Sequence, residues 1–138
     1  MKEYTFNEIE IGLKEQFEIT ILEEMMTNFC AISGDINPLH LDSSYAQSHN
    51  FKDRVVYGLL ISAFYSTLVG VYLPGKYAIL QAINIKFNNP VFIGDQLIIS
   101  GEITYTNDAF NVIEMKAKIL NQDGKKVSTA QITVGLFK

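Results

Sequence analysis

Two hydrophobic rhythms divide the chain. In the first, Ile21, Leu22, Met25, Phe29 and Ile32 recur at spacings of three and four, which puts them on one face of a helix. Thr20 followed by Glu23 predicts a capping box, with the hydroxyl taking the third helical amide and the carboxylate reaching back to the cap amide. The helix is therefore expected to start near Ile21, and Ser33 and Gly34 supply its stop immediately before Asp35. Asn37-Pro38 reads as a turn, since proline disfavours helical geometry in the residue before it. Asp42 can cap a short second helix through Ala46. A constrained loop is expected between the two helices.

Residues 55–75 carry no charge and approach the ~20 residues that cross a bilayer. They also contain Tyr57, Ser62, Tyr65, Ser66, Thr67 and Tyr72, and the strands that follow have apolar faces in need of cover. A helix buried all round inside the fold has the same signature, and it is the expectation here; no membrane is implied. After Pro74-Gly75 the second rhythm takes over, with a period of two. Strands are predicted at 79–87, 97–106, 110–120 and 127–137, with an earlier one at 17–20 and turns at Asn89-Pro90, Asn107-Asp108 and 121–124. One strand, then helices, then four consecutive strands predicts an α+β chain: a mainly antiparallel sheet with helix packed on one face.

With 138 residues, 48% of them apolar and 19% charged, the chain is expected to be one globular domain spanning 1–138. A net charge of -4 without a cluster of basic residues argues against a nucleic-acid partner. Cys30 is the only cysteine and no zinc spacing is present, so neither an internal disulfide nor a metal site is expected. The acidic start, with Glu3, Glu8 and Glu10, resembles neither a signal nor a transit peptide, and a reducing, cytoplasmic setting is expected.

The segment Ser33-Gly34-Asp35-Ile36-Asn37-Pro38-Leu39-His40 brings a carboxylate, an amide and an imidazole onto one turn. In a continuous helix Asp35 and His40 would lie ~140° apart around the axis and could not converge. Gly34 permits a left-handed conformation and Pro38 fixes a bend, so the loop can fold both side chains towards one water. On residue types alone the plainer reading is favoured, with Asp35 a turn residue bonded to its own backbone and His40 a surface residue.

The run Ala31-Ile32-Ser33-Gly34-Asp35-Ile36-Asn37-Pro38-Leu39-His40-Leu41-Asp42 resembles the signature of the MaoC-like family, the (R)-specific enoyl-CoA hydratases. The likeness continues more loosely through Tyr57-Gly58-Leu59-Leu60, Leu73-Pro74-Gly75, Lys86-Phe87 and Pro90-Val91-Phe92-Ile93-Gly94-Asp95. It implies a hot-dog fold, an antiparallel sheet wrapped around a long central helix, and a homodimer. It implies that Asp35 and His40 hold a catalytic water, that Asn37 helps to position it, that Gly58 N–H donates to the thioester carbonyl, and that Ser66 supports the site. The implied reaction hydrates trans-2-enoyl thioesters to (R)-3-hydroxyacyl thioesters, or reverses that step. No cofactor is implied beyond the CoA or acyl-carrier phosphopantetheine of the substrate. The chain departs from the family at Tyr57, where a histidine commonly precedes the glycine; this bears on how the thioester or pantetheine end is held.

Two other readings remain: a non-catalytic thioester-binding or scaffold module, and a thioesterase that aims water at C1 rather than C3. Cys30 is expected in the core, His49 in solvent, Asp42 as a cap, and Tyr65 and Tyr72 as packed aromatics or lining of an acyl tunnel.

Overall fold

Alternation along the strands builds the sheet. In β4 (Val112–Leu120), Ile113, Met115, Ala117 and Ile119 are buried while Glu114, Lys116 and Lys118 face solvent. The computed structural model describes all residues 1–138. Its other strands are β1 (Lys14–Thr20), β2 (Ala78–Phe87), β3 (Gln96–Asn107) and β5 (Lys126–Leu136). All pairings are antiparallel and the order is β1-β3-β4-β5-β2, which leaves β1 and β2 on the edges. The turn at 121–124 forms as expected, with Gly124 N–H donating to Asn121 C=O and Asn121 N–H to Lys125 C=O.

The helical segments are α1 (Glu23–Ser33), α2 (Pro38–Leu41), α3 (Ser43–Ser48) and α4 (Gly58–Thr67), with α4 continued by a wider π-type turn, Leu68–Tyr72. From α4 and this turn, Leu60, Ile61, Phe64, Tyr65, Leu68 and Val69 enter a core cluster of 25 buried residues against the sheet. Gly101 makes room for them: a Cβ there would stand 2.9 Å from Leu68 Cδ2. The Tyr65 hydroxyl is buried but satisfied, donating to Ser128 Oγ at 2.9 Å, and that oxygen in turn donates to Lys86 C=O at 2.9 Å. Tyr72 stacks on Phe17 with ring centroids 4.7 Å apart, so both tyrosines are packed aromatics. No helix is long and apolar enough to cross a membrane.

Several expectations are corrected. The capping box at Thr20 and Glu23 does not form: Thr20 ends β1 in register with Gln96, Leu22 is the N-cap without a side-chain bond, and Glu23 pairs with Arg54 instead. The apolar helix starts at Gly58 rather than near Val55, because Val55 and Val56 donate their amides to the distant Leu39 and Val91 carbonyls instead of joining a helical turn. It is not buried all round either. Leu59, Ala63 and Ser66 leave one face exposed. The Asn37-Pro38 turn leads straight into a one-turn helix, so His40 sits on α2 rather than in a loop. Phe110 lies outside the strand and is exposed.

Gly75 pins the N-terminal segment beneath the end of the helical stretch. Its φ is +90°, its amide donates to Val69 C=O, and a Cβ would stand 2.1 Å from Lys2 O. Gly75→Ala is expected to destabilise the fold by ~1–3 kcal/mol, the cost of a strained backbone position. Urea unfolding checks this as a lower midpoint at unchanged slope.

Candidate active site

The site is assembled by short hydrogen bonds that follow one another along the chain. Ser33 Oγ donates to Phe29 C=O at 2.7 Å and accepts Asp35 N–H at 3.1 Å, while Gly34 closes α1 in the left-handed region at φ 71°. Asp35 Oδ1 accepts Asn37 N–H at 3.0 Å, and Asn37 Oδ1 accepts Leu39 N–H at 2.9 Å. Asn37 is thus the N-cap of α2, with Pro38 in the first turn, where a missing amide is harmless. These turns bring Asp35 Oδ2 to 4.0 Å from His40 Nε2. That gap is too long for a direct hydrogen bond and leaves both atoms able to hold a single water.

The other imidazole nitrogen fixes the tautomer. His40 Nδ1 lies 2.6 Å from Val55 O, which can only accept, so Nδ1 carries the hydrogen and the neutral ring presents a lone pair at Nε2. Val55 N–H returns a bond to Leu39 C=O at 3.1 Å, so α2 and the approach to α4 are joined twice. Behind the imidazole lies the buried ring of Tyr57, 4.1 Å from His40 and 4.8 Å from Phe29 between centroids. Its hydroxyl donates to the main-chain carbonyl of Asp35 at 2.7 Å. Burial first, then its contact with Cys30, pushes the Tyr57 hydroxyl up to about 12.

Gly58 is the first residue of α4. The amides of Leu60 and Ile61 turn back to Tyr57 C=O, whereas those of Gly58 and Leu59 have no acceptor within the chain. Free amides at a helix start carry partial positive charge. A cavity of about 320 Å³ opens beside them, lined by His40, Val56, Gly58, Ile61, Phe87 and Val91 among others. Asp35 is not one of the lining residues; it adjoins the cavity through His40, with a 46% exposed side chain against 15% for His40. A larger hollow of about 690 Å³ on the polar face of the sheet, between Lys14, Glu102, Lys116 and Lys118, gathers no comparable chemistry.

Of the residues singled out in the sequence, Asp35, Asn37 and His40 come together at one end of α4 beside Gly58. Ser66 does not join them: it lies on the exposed face of α4 without a hydrogen bond to the pair. The nearer Ser62 back-bonds to Gly58 C=O at 2.9 Å. One participant went unnoticed in the sequence, the Val55 carbonyl, which carries no side-chain signature at all; Tyr57 stood out as a departure, but without any indication that its hydroxyl reaches the Asp35 main chain. Asp42 caps α3 by accepting Tyr45 N–H, His49 is exposed, and half-buried Cys30 packs against the core. Asp95 is structural, taking Phe92 N–H and Gln122 Nε2. No three His, Cys, Asp or Glu side chains converge as a metal site would need.

Comparison with known proteins places this geometry in context. Residues 5–125 match the family described as MaoC like domain. An (R)-specific enoyl-CoA hydratase of Aeromonas caviae is 31% identical over 128 residues, covering 93% of this chain and 96% of the relative. An enzyme of the same name from Rhodospirillum rubrum is 36% identical over 99 residues, covering 72% and 69% of the two chains. The unliganded R-hydratase of Pseudomonas aeruginosa superposes with a TM-score of 0.89 at 33% identity, covering 95% of this chain and 84% of that one. The hot-dog fold, an antiparallel sheet with a central helix, is shared with these neighbours.

Proposed function

The chain belongs to the MaoC-like domain family, and on that premise we propose that it is a hydro-lyase acting on acyl thioesters. It hydrates a trans-2-enoyl thioester, carried on CoA or an acyl-carrier protein, to the (R)-3-hydroxyacyl thioester, and catalyses the reverse dehydration. The observation that carries the reading is the 4.0 Å approach of Asp35 Oδ2 to His40 Nε2 beside the unpartnered Gly58 amide. The names of the hydratase relatives support it.

In this mechanism His40 Nε2 takes a proton from the water held between the pair while the water oxygen bonds to C3. Charge moves into the thioester carbonyl, where Gly58 N–H stabilises it, and C2 takes a proton from the Asp35 carboxyl. The next water returns the proton from His40 to Asp35 and resets the pair. Asn37 shapes the loop through its cap on α2. Adding water across C2 and C3 forms one C–O and one C–H bond without net electron transfer, and the pair handles both protons, so the proposal calls on no redox cofactor; the pantetheine arrives with the substrate.

The proposal extends to a homodimer. Strand β2 is paired on one side only, and its Ile79, Leu80, Ile83 and Phe87 are exposed, as are Leu59, Ala63 and Ser66 on the neighbouring helix. An open edge with apolar side chains calls for cover. Light scattering at micromolar concentration is expected to give twice the chain mass, and a monomeric mass with full activity would overturn the dimer. A cytoplasmic location completes the proposal, supported by the unpaired Cys30.

Loss of enoyl-thioester absorbance, measured across acyl lengths on CoA and on carrier protein, tests the function. Chiral analysis should find the (R) product. Thioester cleavage without hydration, or binding without turnover, would sink the reading.

A further inference from the structure

We propose that Tyr57 is a positioning residue that holds Asp35 and His40 in register with the Gly58 amide, through its hydroxyl on the Asp35 main chain and its ring behind the imidazole. The proposal rests on the hydratase reading of the site. It turns on one side chain that touches each part the reaction needs.

Asp35 lies past the C-cap of α1, and no backbone amide donates to its carbonyl; the Tyr57 hydroxyl, at 2.7 Å, is its donor. The imidazole of His40 is held at its edge by Val55 O and on its face by the Tyr57 ring 4.1 Å away. Phe29 of α1 packs against that ring with centroids 4.8 Å apart and the planes tilted, so Tyr57 touches both α1 and α2. Tyr57 is also the N-cap residue of α4, its carbonyl receiving the Leu60 and Ile61 amides, and the next residue is Gly58. The distance from the acid-base pair to the oxyanion amide is therefore fixed by the shape of one buried residue. Tyr57 is 2% exposed and its hydroxyl is committed to the Asp35 carbonyl, which separates this role from contact with the thioester. Since burial pushes its ionisation up to about 12, it remains a neutral donor wherever the imidazole works.

A neutral hydrogen bond changes a local equilibrium by about tenfold, and misplacing reacting groups by ~1 Å costs up to about a hundredfold in rate. Tyr57→Phe, which keeps the ring, is expected to lower kcat about tenfold with KM within about twofold of wild type. Tyr57→Leu, which also removes the ring behind His40, is expected to lower it about a hundredfold. Because Tyr57 acts through Asp35, Tyr57→Phe in an Asp35→Asn background is expected to cost less than about twofold more. Amide hydrogen exchange at Asn37, Leu39 and His40 should quicken about tenfold in Tyr57→Phe while the sheet is unchanged.

Equal losses from Tyr57→Phe in both backgrounds would overturn the proposal, as would unchanged kcat with unchanged exchange. If the wild type hydrates no enoyl thioester, the functional reading fails by itself. The exchange measurement then decides separately whether Tyr57 holds the loop, and unaltered protection in Tyr57→Phe would overturn that too.

Discussion

Asp35→Asn and His40→Ala are each expected to lower kcat for hydration by ~10²- to 10⁴-fold, the usual contribution of a positioned acid-base group. Asp35→Asn keeps an oxygen able to accept the Asn37 amide that Oδ1 accepts at 3.0 Å, so the turn survives while the proton donor is lost. His40→Ala removes the Nε2 lone pair and leaves Val55 O without its donor, yet that bond lies at the end of α2 and outside the core cluster. Both variants should fold. Because the two groups work on one water across 4.0 Å, their effects should not add, and the double mutant should be scarcely slower than the poorer single one. Binding of an unreactive acyl-CoA should persist, since the carbonyl contact is assigned to Gly58. Steady-state kinetics and calorimetry on the four proteins check this. Near-normal hydration by either folded single mutant would remove the mechanism.

Replacing the Gly58 amide is expected to rank next. Gly58→Pro deletes the N–H at the first helical position, where proline is well tolerated, and Tyr57 already has a ψ of 125°, within the range that a residue before proline adopts. The helix start should therefore persist without its donor. Losing one oxyanion donor should lower kcat by ~10²- to 10³-fold. Gly58→Ala is the matched control: it keeps the N–H and adds only a Cβ, 3.0 Å from the edge of the Phe87 ring. The ratio of the two variants isolates the amide. If Gly58→Ala proves as slow as Gly58→Pro, crowding against Phe87 explains both, and the oxyanion assignment fails.

The sequence by itself determined the local pieces. The period-two stretches become β2 to β5 within two residues of their predicted ends, and Ser33-Gly34 stops α1 immediately before Asp35 as read. Asn37-Pro38 turns the chain so that a carboxylate and an imidazole five residues apart converge. Glycine, proline, and the short side chains of serine, asparagine and aspartate set backbone angles within a few residues, so these features are legible without a fold. Tertiary structure decided the rest. Pairing of Thr20 with Gln96 drew into β1 a residue whose side chain alone predicted a helix cap. The order β1-β3-β4-β5-β2, and with it the exposed β2 edge, depends on how the helical excursion between β1 and β2 packs on the sheet. The tautomer of His40 is set by a carbonyl 15 residues away and the Asp35 main chain by a hydroxyl 22 residues away. Every residue has a carbonyl, and a tyrosine shows its direction only when packed, so which of them meets the pair is chosen by packing of α1 and α4 rather than by any spacing in the sequence.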